Sequence, residues 1–204
     1  RILVTNDDGI DSPGIYALWK AMSKVGTTTV IAPRTEQSAA SHSITLNKPL
    51  FINYISRNYG FEGWSVDGTP ADCTKIGINE VLKQRPDLII SGINCGANLG
   101  VDLIYSGTVS AATEGALLGI PSIAISLASF KTDDYRASKI VAIEMAKHVL
   151  KNKIPKGTLL NVNVPYADPK DIKGKLITRQ GSQYFMDEFE KRIDPRENTY
   201  YWLK

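Results

Sequence analysis

Histidine and cysteine are scarce in this chain, with two of each among 204 residues. His42 and His148 stand far apart, which excludes a His-rich zinc site and a helix presenting two His ligands. Cys73 and Cys95 form no CxxC pair and no zinc-like spacing, and they neither demand nor exclude an oxidising compartment. No stretch reaches the roughly 18 consecutive apolar residues that a bilayer span needs. The opening residues RILVTNDD lack the basic start, long apolar stretch and small-residue cleavage site of a signal peptide. A soluble cytoplasmic protein is therefore expected. GxGxxG, the GxxxxGK phosphate loop and GxSxG are missing, which removes the usual support for dinucleotide binding, P-loop ATP hydrolysis and an α/β-hydrolase nucleophile. Blocks of Lys and Arg are missing too. The net charge of +3 is scattered, which suits small anions and gives no support to binding of a nucleic acid duplex.

What is present is a chain for one substantial core, 43% hydrophobic and 22% charged with both signs mixed. ILVTN at 2–6 reads as a short buried strand that ends in two acids and a glycine. A helix should follow, capped by Ser12, with Pro13 in its first turn and Ile15, Leu18, Trp19, Met22 and Val25 on one face until Gly26. TTVIA at 28–32 reads as the next strand, with a polar loop from Pro33 to Ser43 after it. LFINY and GWSVD have strand character, and Thr69–Pro70 marks a helix start running to about Leu82. PDLIIS at 86–91 is an apolar strand, followed by a Gly-rich loop and a small-residue helix from about Thr108 that Gly119 and Pro121 end. SIAIS, an amphipathic helix through Ala142, Met145, Ala146 and Val149, and LLNVN at 159–163 complete the series. Strands alternating with helices predict a doubly wound, Rossmann-like α/β fold with a mostly parallel sheet, in which ligands sit beyond the carboxyl ends of the strands. The alternation fades after Pro165. Residues 1–165 are read as the α/β domain and 166–204 as a C-terminal extended arm or edge ribbon, because Tyr184, Phe185, Phe189, Tyr200, Tyr201 and Trp202 need a surface to cover.

Asp7 and Asp8 follow the first strand directly, where such a fold places its functional loops. Two adjacent carboxylates repel each other, and a hard divalent cation such as Mg2+ or Mn2+ resolves the conflict; Asn-Asp-Asp-Gly is also ordinary turn chemistry. In SGINCGANLGVDLIYSGTVS, Gly92, Gly96 and Gly100 let the backbone pass close to a ligand, and Asn94 and Asn98 offer neutral amides. Ser106, Gly107 and Thr108 lead into a helix whose unpaired N–H groups and dipole suit a phosphate, though Ser-Gly-Thr is also a plain cap. His148 lies in an amphipathic helix and reads as structural, whereas His42, in the polar loop after a strand, is harder to dismiss.

TNDDGIDSPGI, APRTEQSAASHS, DGTPADC, SGINCGANLG, YSGTVSAATEGALLGIPSIA and NVNVP, in this order and over nearly the whole chain, resemble the motif series of the SurE family of 5'-nucleotidases. The resemblance implies one divalent metal ion held by residues matching Asp7, Asp8, Ser38 and Asn94, and phosphate contacts from residues matching Asn98, Ser106, Gly107 and Thr108. It implies hydrolysis of nucleoside monophosphates, a homodimer or homotetramer held by the C-terminal arm, and a chain that continues past the segment matching Tyr200 to Trp202. The mechanism expected on this footing is attack on phosphorus by a metal-activated water, with Asp8, or nearly as well Asp7, orienting or deprotonating it. Two alternatives stand beside it: a non-catalytic nucleotide sensor on the same fold, and an aspartyl-phosphate enzyme, which would want a DxDxT-like pattern where Gly9 and Ile10 follow the acids.

Overall fold

The computed structural model describes residues 1–132, 134–183 and 188–203. Strand β1 (Ile2–Thr5) is the β-branched run of the sequence, buried throughout. Helix α1 (Pro13–Met22) begins where Ser12 accepts a hydrogen bond from the Ile15 N–H and Pro13 takes the first turn, and it buries Ile15, Leu18 and Met22. Strand β2 (Thr28–Pro33) follows. After a long loop come β3 (Ile52–Ser56) and β4 (Glu62–Val66), paired antiparallel. Helix α2 (Pro70–Ile76) opens on a capping box between Thr69 and Asp72. Its expected run to about Leu82 is interrupted: the α-helix ends at Ile76 and a π-type turn completes it over Gly77–Val81, with glycine, a poor helix former, at the change.

Strand β5 (Leu88–Cys95) extends beyond the apolar run into the segment read as a Gly-rich loop, because Gly92, Asn94 and Cys95 still pair with the neighbouring strand across a register shift. Helix α3 (Gly107–Leu117), strand β6 (Ser122–Ala128), helix α4 (Arg136–Asn152) and strand β7 (Leu159–Pro165) complete the body. Seven strands form one sheet in the order β3-β4-β2-β1-β5-β6-β7, all neighbours parallel except β3. Helices α1 and α4 cover one face over Ile2, Val4, Leu88, Ile90, Ile123 and Ile125, while α2 and α3 lie together on the other over Leu3, Ile31, Ile89 and Ala124. Helices α3 and α4 connect successive parallel strands in the same direction across the sheet yet lie on opposite faces. The two crossovers therefore differ in hand, a departure from the usual right-handed rule that sets α4 beside α1.

The chain leaves β1 towards β2 on one side and returns at β5 on the other, so the strand order reverses between β1 and β5. In open parallel sheets that point opens a crevice at the carboxyl ends of the strands. The tail forms a separate hairpin of β8 (Phe189–Ile193) and β9 (Thr199–Leu203), with every residue of β9 exposed. Tyr184 and Phe185 lie outside the described residues. Among the described residues no helix is long and apolar enough to cross a membrane.

Candidate active site

The reversal point brings together the segments that the sequence singled out. Asp7 and Asp8 leave the end of β1 into a turn fixed by buried Asn6, whose amide nitrogen donates to the Gly9 carbonyl at 2.9 Å and to Ser12 Oγ at 2.8 Å. The loop after β2 lies against this turn, with the Gln37 N–H donating to the Asp7 carbonyl at 2.8 Å. Helix α3 points its first turn at Asp7: the Thr108 hydroxyl and N–H both donate to the Asp7 carboxylate. The approach is close enough that a Cβ on Gly107 would lie 2.6 Å from Asp7 Cβ. Asp7 therefore receives the partial positive charge of the helix N-terminus.

Both carboxyls titrate above their ordinary range. Burial raises Asp7 first of all, with the nearby Glu36 charge adding to it, against the hydrogen bonds from Thr108. Asp8 is pushed up to about 7 by burial, then by the charges of Asp7 and Glu36, against a backbone hydrogen bond from Cys95. This is a pair of acids held together at an energetic cost, which a bound cation would offset. Among the described residues no cluster of three or more His, Cys, Asp or Glu side chains is arranged as a metal site, so a cation here would rest on two carboxylates completed by neutral oxygens. Ser38, exposed and hydrogen-bonded to Glu36 Oε1 at 2.5 Å, and Asn94, whose amide nitrogen donates to the Gly96 carbonyl at 2.8 Å, supply that chemistry. The all-oxygen set fits Mg2+ or Mn2+. Beside Asp8 opens a cleft of about 680 Å³ whose lining includes Arg34, Phe130, Lys131 and Tyr135.

A family model for "Survival protein SurE" matches residues 2–187. The chain belongs to the SurE family. It is 49% identical, over its whole length and 76% of the relative's, to a protein of Syntrophus aciditrophicus named 5'-nucleotidase SurE. It is 50% identical over its whole length to a protein of the same name from Thermosipho africanus, covering 80% of it. The crystal structure of the SurE protein from Aquifex aeolicus superposes with a TM-score of 0.85 at 42% identity, over all of this chain and 81% of that one.

Within this SurE fold Asp7 meets Gly107 and Thr108 and Asp8 lines the cleft, whereas Ser38, Asn94, Asn98, Ser106, Gly107 and Thr108 are not among the cleft's lining residues, and several hydroxyls and glycines do other work than the sequence suggested. The Thr108 hydroxyl is spent on Asp7, and Ser106 Oγ accepts the Val109 N–H at 3.1 Å as the cap of α3. Gly92, Gly96 and Gly100 do permit close backbone approach, but to protein: a Cβ there would meet the Ile125 carbonyl, the Phe130 ring and the Gln183 carbonyl. Asn98 is clasped from the ends of β6 and β7. Its N–H donates to Asn163 Oδ1 and its amide nitrogen to Ser126 Oγ, both at 2.8 Å, while its carbonyl accepts from the amides of Asn161 and Asn163 at 3.0 Å. Sequence reasoning missed Ser126, Asn161, Asn163 and Glu36. The alternation of Asn with apolar residues in LLNVN was the available signal for the β7 pair, since half-buried amides, here on the edge strand, need polar partners.

Proposed function

We propose that this SurE-family chain is a divalent-metal-dependent phosphomonoesterase that hydrolyses nucleoside monophosphates to nucleoside and inorganic phosphate, acting in the cytoplasm. One observation carries the reading: two repelling carboxylates stand at the reversal of the strand order, Asp7 held by the first turn of α3 and Asp8 lining a cleft of nucleotide size. The names of the relatives point the same way.

Asp7, Asp8, Ser38 and Asn94 would hold the ion, Mg2+ or Mn2+. When bound, such an ion lowers the pKa of water and polarises a phosphoryl oxygen. Water attacks phosphorus, the bond to the ester oxygen breaks, and the leaving alkoxide takes up a proton. Asp8 is the better placed of the two acids to orient or deprotonate the attacking water, because it lines the cleft while Asp7 is buried and held by Thr108. The Gly107 N–H at the N-terminus of α3, the Ser106 segment and Asn98 would face the phosphoryl oxygens, where charge gathers in a loose transition state, while Thr108, whose hydroxyl and N–H go to Asp7, would hold that carboxylate in place. The clasp on Asn98 still leaves one of its two amide hydrogens to give. Phosphate release from a panel of nucleoside monophosphates tests the reading. Turnover should fall about 100-fold or more with chelator and return with Mg2+ or Mn2+. Binding of the nucleotides without release of phosphate would make the protein a sensor instead.

In this proposal residues 1–165 form the catalytic body and 166–204 an arm for a homodimer or homotetramer. Two-stranded hairpins are marginal alone, and this one exposes Phe189, Ile193, Tyr201, Trp202 and Leu203, each more than half accessible. The arm first returns to the body beside the site, where the Gln183 carbonyl accepts the Val101 N–H and the Gln180 amide donates to the Gly100 carbonyl, both at 2.9 Å. Deleting residues 188–204 spares those bonds and should convert the assembly to monomer in sedimentation. A monomeric full chain, or a truncated chain that stays assembled, would refute the arm's role.

A further inference from the structure

The loop joining β2 to β3, residues 34–51, carries Ser38 and has little regular structure of its own. Its backbone places two non-glycine residues in the left-handed region, Ala39 at φ 56 and Ser41 at φ 55, a conformation that lasts only where the surroundings impose it. Several ties do so. On the near side of the site the Gln37 N–H holds the Asp7 carbonyl. Ser41 then crosses to the turn before α3, its N–H donating to the Tyr105 carbonyl at 3.1 Å and its hydroxyl to the Ile104 carbonyl at 2.9 Å. Next comes His42, whose Nε2 lies 2.9 Å from Glu114 Oε2. A carboxylate only accepts, so Nε2 carries the hydrogen and donates. Glu114 projects from α3, its side chain only 8% exposed, and its second oxygen takes Lys75 Nζ of α2 at 3.0 Å.

The His42–Glu114–Lys75 chain therefore fastens the Ser38 loop to the same helix whose first turn holds Asp7. We propose that His42 is a positioning residue, which sets Ser38 against the Asp7–Asp8 pair by clasping the loop to Glu114 on α3. His42 touches no reacting atom in this role. Breaking the clasp releases the strained 37–42 segment and leaves the cation one oxygen ligand short, while the carboxylates stay where β1 puts them. The inference rests on the metal reading of the site.

The test compares wild type with His42→Ala, His42→Asn and His42→Gln by two readouts that need no turnover: Mn2+ affinity by paramagnetic resonance titration, and amide hydrogen exchange. Gln can bring an N–H to about the place of Nε2; Asn is too short and Ala has none. For Ala and Asn we expect a Kd for Mn2+ raised about 10-fold, the scale on which groups supporting metal ligands act. The segment 34–45 should exchange about 10-fold faster, with exchange in β1 and β5 unchanged. Gln should keep both quantities within about threefold of wild type. Should Ala fail to fold, Asn decides, since a polar residue suits this partly exposed position. Wild-type Mn2+ affinity and loop exchange in Asn would overturn the proposal, and so would a Gln variant as impaired as Asn, because the imidazole would then matter for something other than the clasp. A wild-type protein that binds no Mn2+ sinks the metal reading and this proposal together. Loss of loop protection with unchanged Mn2+ affinity overturns the proposal alone.

Discussion

Asp8→Asn should lower kcat/KM by about 1,000-fold, some 4 kcal/mol of transition-state stabilisation, while making the metal-free protein more stable above neutral pH. The first half follows from the proposed role of Asp8 as one of two carboxylate ligands and as the acid that faces the cleft. The second follows from the titration of Asp8, raised from 3.8 to about 7 by burial and by its acidic neighbours. A carboxyl whose folded pKa exceeds its unfolded one binds its proton more tightly in the folded state. Its contribution to stability is therefore fullest below about pH 4, declines as the pH rises towards 7, and stays low above that. Asn, neutral at every pH and able to accept the Cys95 N–H, removes the decline that belongs to Asp8. Thermal melts in chelator at pH 5 and pH 8 should show the wild type losing stability between the two and the variant losing less. Added Mn2+ should raise the wild-type melting temperature at pH 8 and leave the variant nearly unmoved. Near wild-type turnover of the variant at saturating Mg2+ or Mn2+ would falsify the metal assignment. A metal-free variant less stable than wild type at pH 8 would show instead that the Asp8 carboxylate supports the scaffold.

The elements of this site were legible in the sequence because each is announced locally. A β-branched run that stops at two acids is a strand end, and Ser-Gly-Thr before small residues is a helix start; β1 and α3 lie where those signals put them. The resemblance to a family motif series then linked positions that local periodicity leaves unconnected. What stayed hidden is who spends which hydrogen bond. Thr108 and Asp7 are 101 residues apart, His42 and Glu114 are 72 apart, and Asn98 and Asn163 are 65 apart. Such pairings depend on strand order and on the face each helix covers, and a period of two or of 3.6 residues encodes neither. The glycines of the β5 segment show the same limit. Their small size is needed as expected, but the neighbour that needs it is another stretch of chain.

Gly107→Ala should cost about 100-fold in kcat/KM, about 10-fold in Mn2+ affinity and about 1–3 kcal/mol of stability from overpacking, with the chain still folded. Ala is the better helix former in a helix interior, so at the first position of α3 the exchange does not weaken the helix itself. The penalty falls elsewhere. The new methyl would stand 2.6 Å from Asp7 Cβ and 2.9 Å from Asp7 Oδ2, distances at which one group must move. Neither moves freely: Asp7 is buried in the turn after β1, which Asn6 and the Gln37 N–H hold, and the first turn of α3 is pinned by the Ser106 cap and by the Thr108 hydrogen bond to Asp7. Whichever yields, Asp7 parts from Thr108, the carboxylate leaves its place beside Asp8, and the Gly107 N–H proposed for phosphate turns away from it. A displacement of about 1 Å in such a site costs on the order of 100-fold in rate. Gly174→Ala is the matched control, since a Cβ there meets nothing within 4 Å, and it should be silent. Circular dichroism should show Gly107→Ala folded like wild type, with a melting temperature lowered by the crowded contact, yet slow at every metal concentration. If Gly107→Ala turns over as fast as Gly174→Ala, the close fit between α3 and Asp7 is packing alone, and the anion site lies away from this helix.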